Sequence, residues 1–181
     1  MVLEKYTAGW VNSFTNIKSE IDTILEGLEY AIEHIGSTSV PNLDSKPVID
    51  IDIIYANQEN FEKIKLGLNK IGYYHNGNQG IEDREVFKRD GKVKSEILDT
   101  IKHHLYVCWV GSNALERHLL TRNILRKNDW ARLTYQQLKY ELAEKANQDS
   151  KVYAALKELH VNNFIDSIIE EEKRTDKIGF A

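Results

Sequence analysis

Two aspartates, Asp50 and Asp52, alternate with β-branched residues in the run Val48-Ile49-Asp50-Ile51-Asp52-Ile53-Ile54. Successive side chains of a strand point to opposite faces, so both carboxylates emerge on one side and Ile49, Ile51 and Ile53 on the other. Like charges that close repel and raise one pKa unless a cation lies between them, and a divalent ion is the simplest resolution. Oxygen-only ligands favour Mg2+ or Mn2+ over zinc, and Mg2+ commonly joins one or two carboxylates to substrate phosphates. Taken alone, the pair is explained as well by a solvated strand face.

Upstream, Gly36-Ser37 supplies what such a phosphate needs: a glycine that lets backbone amides approach closely and a hydroxyl at the start of a turn. Thr38 belongs to the same predicted cradle, and Lys46 adds a point charge. An ordinary helix cap is the plainer account of the glycine-serine pair; its combination with the aspartates is more specific. His34, two residues before Gly36, is read as a hydrogen bond that fixes the turn.

The elements that must position these residues follow from hydrophobic period. Phe14, Ile17, Ile21, Ile24, Leu25 and Leu28 step by three and four, which predicts a first helix to about Leu28, capped by Asn12 or Ser13. A strand from Tyr30 to Ile35 runs into the Gly36 turn, and Val48 to Tyr55 is the clearest strand of all. Phe61, Ile64, Leu68 and Ile71 mark a second helix. Further strands are predicted at Gly72 to His75, Arg84 to Lys88 and His103 to Val110. From Ser112 onward apolar residues recur at helical spacing, giving three helices. The fold class is therefore α+β: residues 1–111 form a mixed β-sheet with flanking helices, 112–172 a carboxy-terminal helical unit, either packed on the core or continuous with it, and 173–181 a solvated tail that begins to fray near Glu170.

Twelve residues, Thr38 to Ile49, separate Ser37 from Asp50. An apolar residue, Gly and Ser followed at that distance by an Asp-apolar-Asp strand resembles the signature of the nucleotidyltransferase superfamily related to polymerase β. The segment from His34 to Asp50 is similar, more closely, to the GrpB family of small bacterial proteins, with its His-Ile-Gly-Ser-Thr-x-Val-Pro-x-Leu and Lys-Pro-x-Ile-Asp pattern. The likeness continues in His104-Leu105-Tyr106-Val107, in the helical spacing of Tyr135, Leu138, Lys139, Leu142 and Ala143, and in Asp149, Tyr153, Lys157 and a displaced Phe164. It covers about residues 15 to 170.

The resemblance implies a nucleotidyltransferase-like fold and metal-dependent handling of a nucleoside triphosphate. By it, Gly36 and Ser37 hold the triphosphate, Asp50 and Asp52 hold Mg2+ or Mn2+, and Lys139, joined by Lys157, approaches phosphates from the helical unit. Active members of the superfamily usually add a third carboxylate on a later strand, where this chain has His104 and Tyr106. A neutral histidine can act as ligand or base, so His104 joins Asp50 and Asp52 as a catalytic candidate; adjacent His103 must point to the other face. Arg117, Arg122, Arg126, Lys127 and Arg132 form either a solvated face or a phosphate-facing wall. The expected function is nucleotide binding with possible transfer to a hydroxyl acceptor, a small molecule or a protein; the alternative is a non-catalytic nucleotide-binding or protein-interaction module.

Composition bounds these readings. The 181 residues suffice for one domain, or one core with a small appended helical piece, and 41% hydrophobic with 29% charged residues fits a globular chain rather than a disordered one. With 24 Lys+Arg against 28 Asp+Glu there is no global basic field, which argues against a nucleic-acid partner. The single Cys108 makes neither an intrachain disulfide nor a thiolate metal cluster, which suits a reducing compartment, the cytoplasm. No run approaches the ~18 consecutive apolar residues of a membrane span, and no apolar signal core follows Met1 to Lys5.

Overall fold

The computed structural model describes residues 2–178. Five strands, β1 (Ala31–Ile35), β2 (Ile49–Tyr55), β3 (Tyr73–His75), β4 (Arg84–Arg89) and β5 (His103–Trp109), form one mixed sheet in the order β1-β2-β5-β4-β3. Among the described residues only the central pair β2 and β5 is parallel. The predicted alternation in β2 sets the two faces of this sheet. Ile49, Ile51 and Ile53 are at most 2% exposed and pack into a core with Ile17 and Ile21 of α1 (Gly9–Ile24) and Ile64 and Leu68 of α2 (Gln58–Lys70). Asp50 and Asp52 stand on the other face.

That second face looks toward the helical unit. After α3 (Glu96–Thr100), three helices follow β5: α4 (Asn113–Lys127), α5 (Asp129–Lys145) and α6 (Ser150–Ile178). They build a separate core around Ile124, Leu125, Leu142, Tyr153 and Ile165, which Val2, Leu3, Val40 and Leu43 also enter. The amino-terminal segment is thus stitched to the helical unit, and its Glu4 bridges Ser45 just before Lys46. Ser112 starts α4 by accepting the Leu115 N–H, a cap that offsets the unpaired donors of a first helical turn. No helix among the described residues is long and apolar enough to cross a membrane.

Three boundaries differ from expectation. α1 begins at Gly9 rather than after Asn12, because buried Trp10 extends the apolar stripe one turn upstream and Thr7 Oγ1 accepts the Gly9 N–H. It ends before Leu28, where Gly27 turns the chain at φ 81°. The short α3 escaped the periodic reading, since five residues hold too few apolar positions; Ser95 caps it and Leu98 anchors it. The stretch after Glu170 is helical as far as Ile178, with Glu172 and Lys173 paired to Lys127 and Glu116 of α4. The helix continues through the first residues of the expected tail; Gly179 to Ala181 lie outside the described residues.

Candidate functional site

Between the Asp50 face of the sheet and α4, α5 and α6 lies a cleft of about 480 Å³. Its floor is set by register: Asp50 pairs with Ile35 of β1 on one side and His104 of β5 on the other. Ile35 leads into Gly36, whose φ 69° and ψ −174° belong to a region open essentially to glycine. The following 3-10 turn, Ser37–Ser39, folds back through Ser39 Oγ donating to the Gly36 carbonyl at 2.7 Å. His34 below it is buried against Phe14, and its Nε2 lies 3.1 Å from Thr38 Oγ1. Burial first, then the Arg126 charge, lowers His34 to a pKa of about 4, so the turn rests on a neutral imidazole.

Asp50 keeps 28% of its side chain exposed, and its Oδ1 accepts from His104 Nδ1 at 2.8 Å. Asp52 differs sharply. It is fully buried, with Oδ2 2.9 Å from His118 Nδ1 and Oδ1 accepting the Cys108 thiol at 3.7 Å. Burial, reinforced by Asp52, pushes the Cys108 thiol well above its usual range.

Gly36, Ser37, Lys46, Asp50, His104 and Lys139 all line the cleft. Thr38 and Asp52 lie beneath its surface: Thr38 is 1% exposed and donates to the Val48 carbonyl. Of the cluster Arg117, Arg122, Arg126, Lys127 and Arg132, Arg117 and Arg122 wall the cleft. Arg122 spans to β1 through Glu33 and the His34 carbonyl, and Arg117 pairs with Asp166 of α6. Arg126 instead holds the Ser39 carbonyl, and Arg132 pairs with Asp129. His103 points to the opposite face, against the Tyr73 hydroxyl.

The two lysines are not equivalent. Lys139 is 1% exposed and donates to the Asp44 carbonyl at 2.6 Å and to Ser45 Oγ. Burial, then the neighbouring Lys157, holds it well below the usual lysine range. Lys157 is raised, chiefly by Tyr135 and against burial, and keeps its charge in the cleft. Arg84 of β4 adds a guanidinium 4.8 Å over the Tyr106 ring. Arg84, Lys157, His118 and Cys108 are contributions that sequence reasoning missed or underweighted. No motif ties β4, β5 and α4 together; the parallel register of β2 and β5 and the antiparallel pairing of β5 with β4 bring the strand residues beside the aspartates.

The donor set decides which cation fits where. Asp50, part-exposed in a cleft walled by cations, suits a hard ion arriving with phosphate oxygens, which needs only one or two carboxylates. Asp52 offers the cleft no free oxygen, and the Asp52, Cys108 and His118 donors lie within 4.8 Å of one another as a mixed oxygen, sulfur and nitrogen group. An oxygen-only pair therefore does not describe both aspartates.

The family model described as GrpB protein matches residues 1–171. Curated relatives include the UPF0157 protein YqkA of Bacillus subtilis, 33% identical over 138 residues, and the glutamate-rich protein GrpB of Alkalihalophilus pseudofirmus, 28% identical over 172. The first match covers 76% of this chain but only 38% of YqkA; the second covers 94% and 95%. Among solved structures, the conserved protein GrpB from Enterococcus faecalis superposes with a TM-score of 0.73 at 29% identity, over 94% of this chain and 99% of that one. The Cid1 poly(U) polymerase, solved with MgGTP bound, gives 0.56 at 10% identity over 79% of this chain and 45% of its own, a likeness of fold alone.

Proposed function

The chain belongs to the GrpB family and has a nucleotidyltransferase-like fold, and from that premise we propose that it binds a nucleoside triphosphate with a divalent cation and transfers the nucleotidyl group to a hydroxyl acceptor. The cytoplasm is the setting we propose, since Cys108 is a free thiol. One observation carries the reading: the Gly36 turn, the Asp50 carboxylate and cations from three other elements converge on one cleft. Phosphates seated there meet Lys46 and Lys157, with Arg122 and Arg84 on the flanks. A divalent ion, Mg2+ or Mn2+, would be held by Asp50 and would neutralise phosphate charge when bound.

The chain's own residues do the rest. The Gly36-Ser37 backbone sits flush against Asp50 and positions the phosphates. His104, with Nδ1–H donated to Asp50, carries its lone pair on Nε2 and accepts the proton of the attacking hydroxyl there. Oxygen attacks the α-phosphorus, the bond to the bridging oxygen breaks, and pyrophosphate leaves. Positioning and charge stabilisation supply most of the rate gain.

Calorimetry with non-hydrolysable nucleoside triphosphates, with and without Mg2+, tests the binding. Mg2+-dependent association lost in Asp50→Asn is expected; association unchanged in that variant overturns the site. A second reading, a non-catalytic nucleotide binder, is favoured by one feature: His104 and Tyr106, not a carboxylate, face Asp50 and Asp52 across β5. Pyrophosphate release with a mixture of acceptors separates the two, because a binder gives association and no turnover.

A further inference from the structure

Three donors from three elements meet behind the cleft, and the nucleotide reading leaves them without a task. Asp52 comes from β2, Cys108 from β5 and His118 from α4, each offering one ligand atom. We propose that Asp52, Cys108 and His118 form a binding site for a borderline transition-metal ion, zinc above all, distinct from the hard cation that accompanies a nucleotide at Asp50.

The chemistry of the set argues first. Carboxylate, thiolate and imidazole together are ligands zinc takes readily, whereas Mg2+ prefers oxygen alone. Geometry agrees. Tetrahedral zinc with arms of roughly 2.0–2.3 Å holds neighbouring donors about 3.3–3.8 Å apart. Asp52 Oδ2 and His118 Nδ1 lie 2.9 Å apart, and Cys108 Sγ and Asp52 Oδ1 3.7 Å. Those two contacts use different oxygens of Asp52, and the three ligand atoms lie within 4.8 Å of one another, so the ion draws the donors together by up to about 1 Å to reach tetrahedral spacing.

Burial supplies the third argument. Asp52 and Cys108 are both 0% exposed, and a carboxylate sealed from water calls for compensating positive charge. Its hydrogen-bond partners are a thiol and an imidazole, of which the imidazole can supply at most one unit of positive charge, whereas a dication supplies two. Binding displaces the Cys108 thiol proton and moves the His118 ring proton to Nε2. Three protein ligands leave one tetrahedral position that the chain itself does not fill. His118 also lines the cleft, so the ion sits one imidazole away from the proposed nucleotide.

The test uses the full chain, stripped with a chelator and titrated with Co2+ in the absence of nucleotide. A thiolate-to-cobalt charge-transfer band that saturates at one equivalent, is displaced by Zn2+ and is indifferent to excess Mg2+ is expected. Cys108→Ser should abolish the band and weaken zinc binding by at least about 100-fold, more than loss of a supporting hydrogen bond costs. His118→Gln should behave alike. If Asp52→Asn fails to fold, Cys108→Ser, a one-atom change checked by circular dichroism, still decides. Absence of the band in the wild-type chain, or zinc held as tightly by Cys108→Ser, overturns the site and leaves a hydrogen-bonded trio. Because no nucleotide is present, failure here and failure of the nucleotide reading are separate outcomes.

Discussion

Gly36 and Asp50 are packed so closely that a Cβ on the glycine would stand 2.3 Å from Asp50 Oδ2. The contact fixes the phosphate-side turn against the carboxylate, and the left-handed φ of 69° adds a second bar to any side chain. Gly36→Ala should cost about 1–3 kcal/mol through backbone strain alone, with more from displacement of Asp50. A lowered urea midpoint together with lost nucleotide-analogue binding is the expected pair of results. An alanine variant with wild-type values for both would show that the turn does not need this contact.

The Asp50 and His104 side chains meet as register neighbours across the parallel pair. If His104 takes the acceptor proton, His104→Gln keeps a group of similar length while removing the base. Turnover should fall by roughly 10²–10⁴ while analogue affinity changes little. A variant that loses affinity and turnover together would instead make His104 a binding residue.

Much of the floor of this cleft was legible in the sequence, because alternation in β2 follows from the pleat and the isoleucines leave no choice of inward face. The turn at Gly36 was legible for the same local reason. What was not legible depends on long-range pairing. The split between Asp50, open to the cleft, and Asp52, sealed beneath it, arises from Cys108 and His118, which are 56 and 66 residues away. Likewise the family resemblance makes Lys139 a phosphate ligand, yet the Asp44–Ser45 loop, distant in sequence, claims its ammonium. Period tells which face of a helix is buried; it does not tell what that face meets.

Lys139 and Lys157 should therefore separate in mutagenesis. Lys157→Met removes a charged contact worth about 1.5–3 kcal/mol to a phosphate, or roughly 10- to 100-fold in affinity, with little change in unfolding. Lys139→Met leaves the Asp44 carbonyl without its donor in a buried place and should lower stability by about 1–3 kcal/mol. Urea unfolding beside calorimetry reads both. Equal losses of affinity with equal stability would place both ammonium groups on the ligand.

Acid sensitivity should trace in part to His34. Its folded pKa of about 4 lies below the ordinary imidazole value of 6.5 because burial disfavours the imidazolium. Between those two values the unfolded chain binds a proton that the folded chain refuses, so stability rises with pH across this window. The contribution is fully present above pH 6.5 and is lost as pH falls through about 4, with an upper bound of about 3 kcal/mol for such a shift. His34→Gln removes the titration while leaving an amide within reach of Thr38. Urea midpoints between pH 7 and pH 4 should fall more steeply for the wild-type chain than for the variant. Carboxylates paired in the fold, such as Asp44 with Lys5, lose stability in both proteins alike and cancel in the difference. Parallel slopes would mean that His34 is protonated in the folded chain as easily as in the unfolded one, and that the turn does not depend on a neutral imidazole.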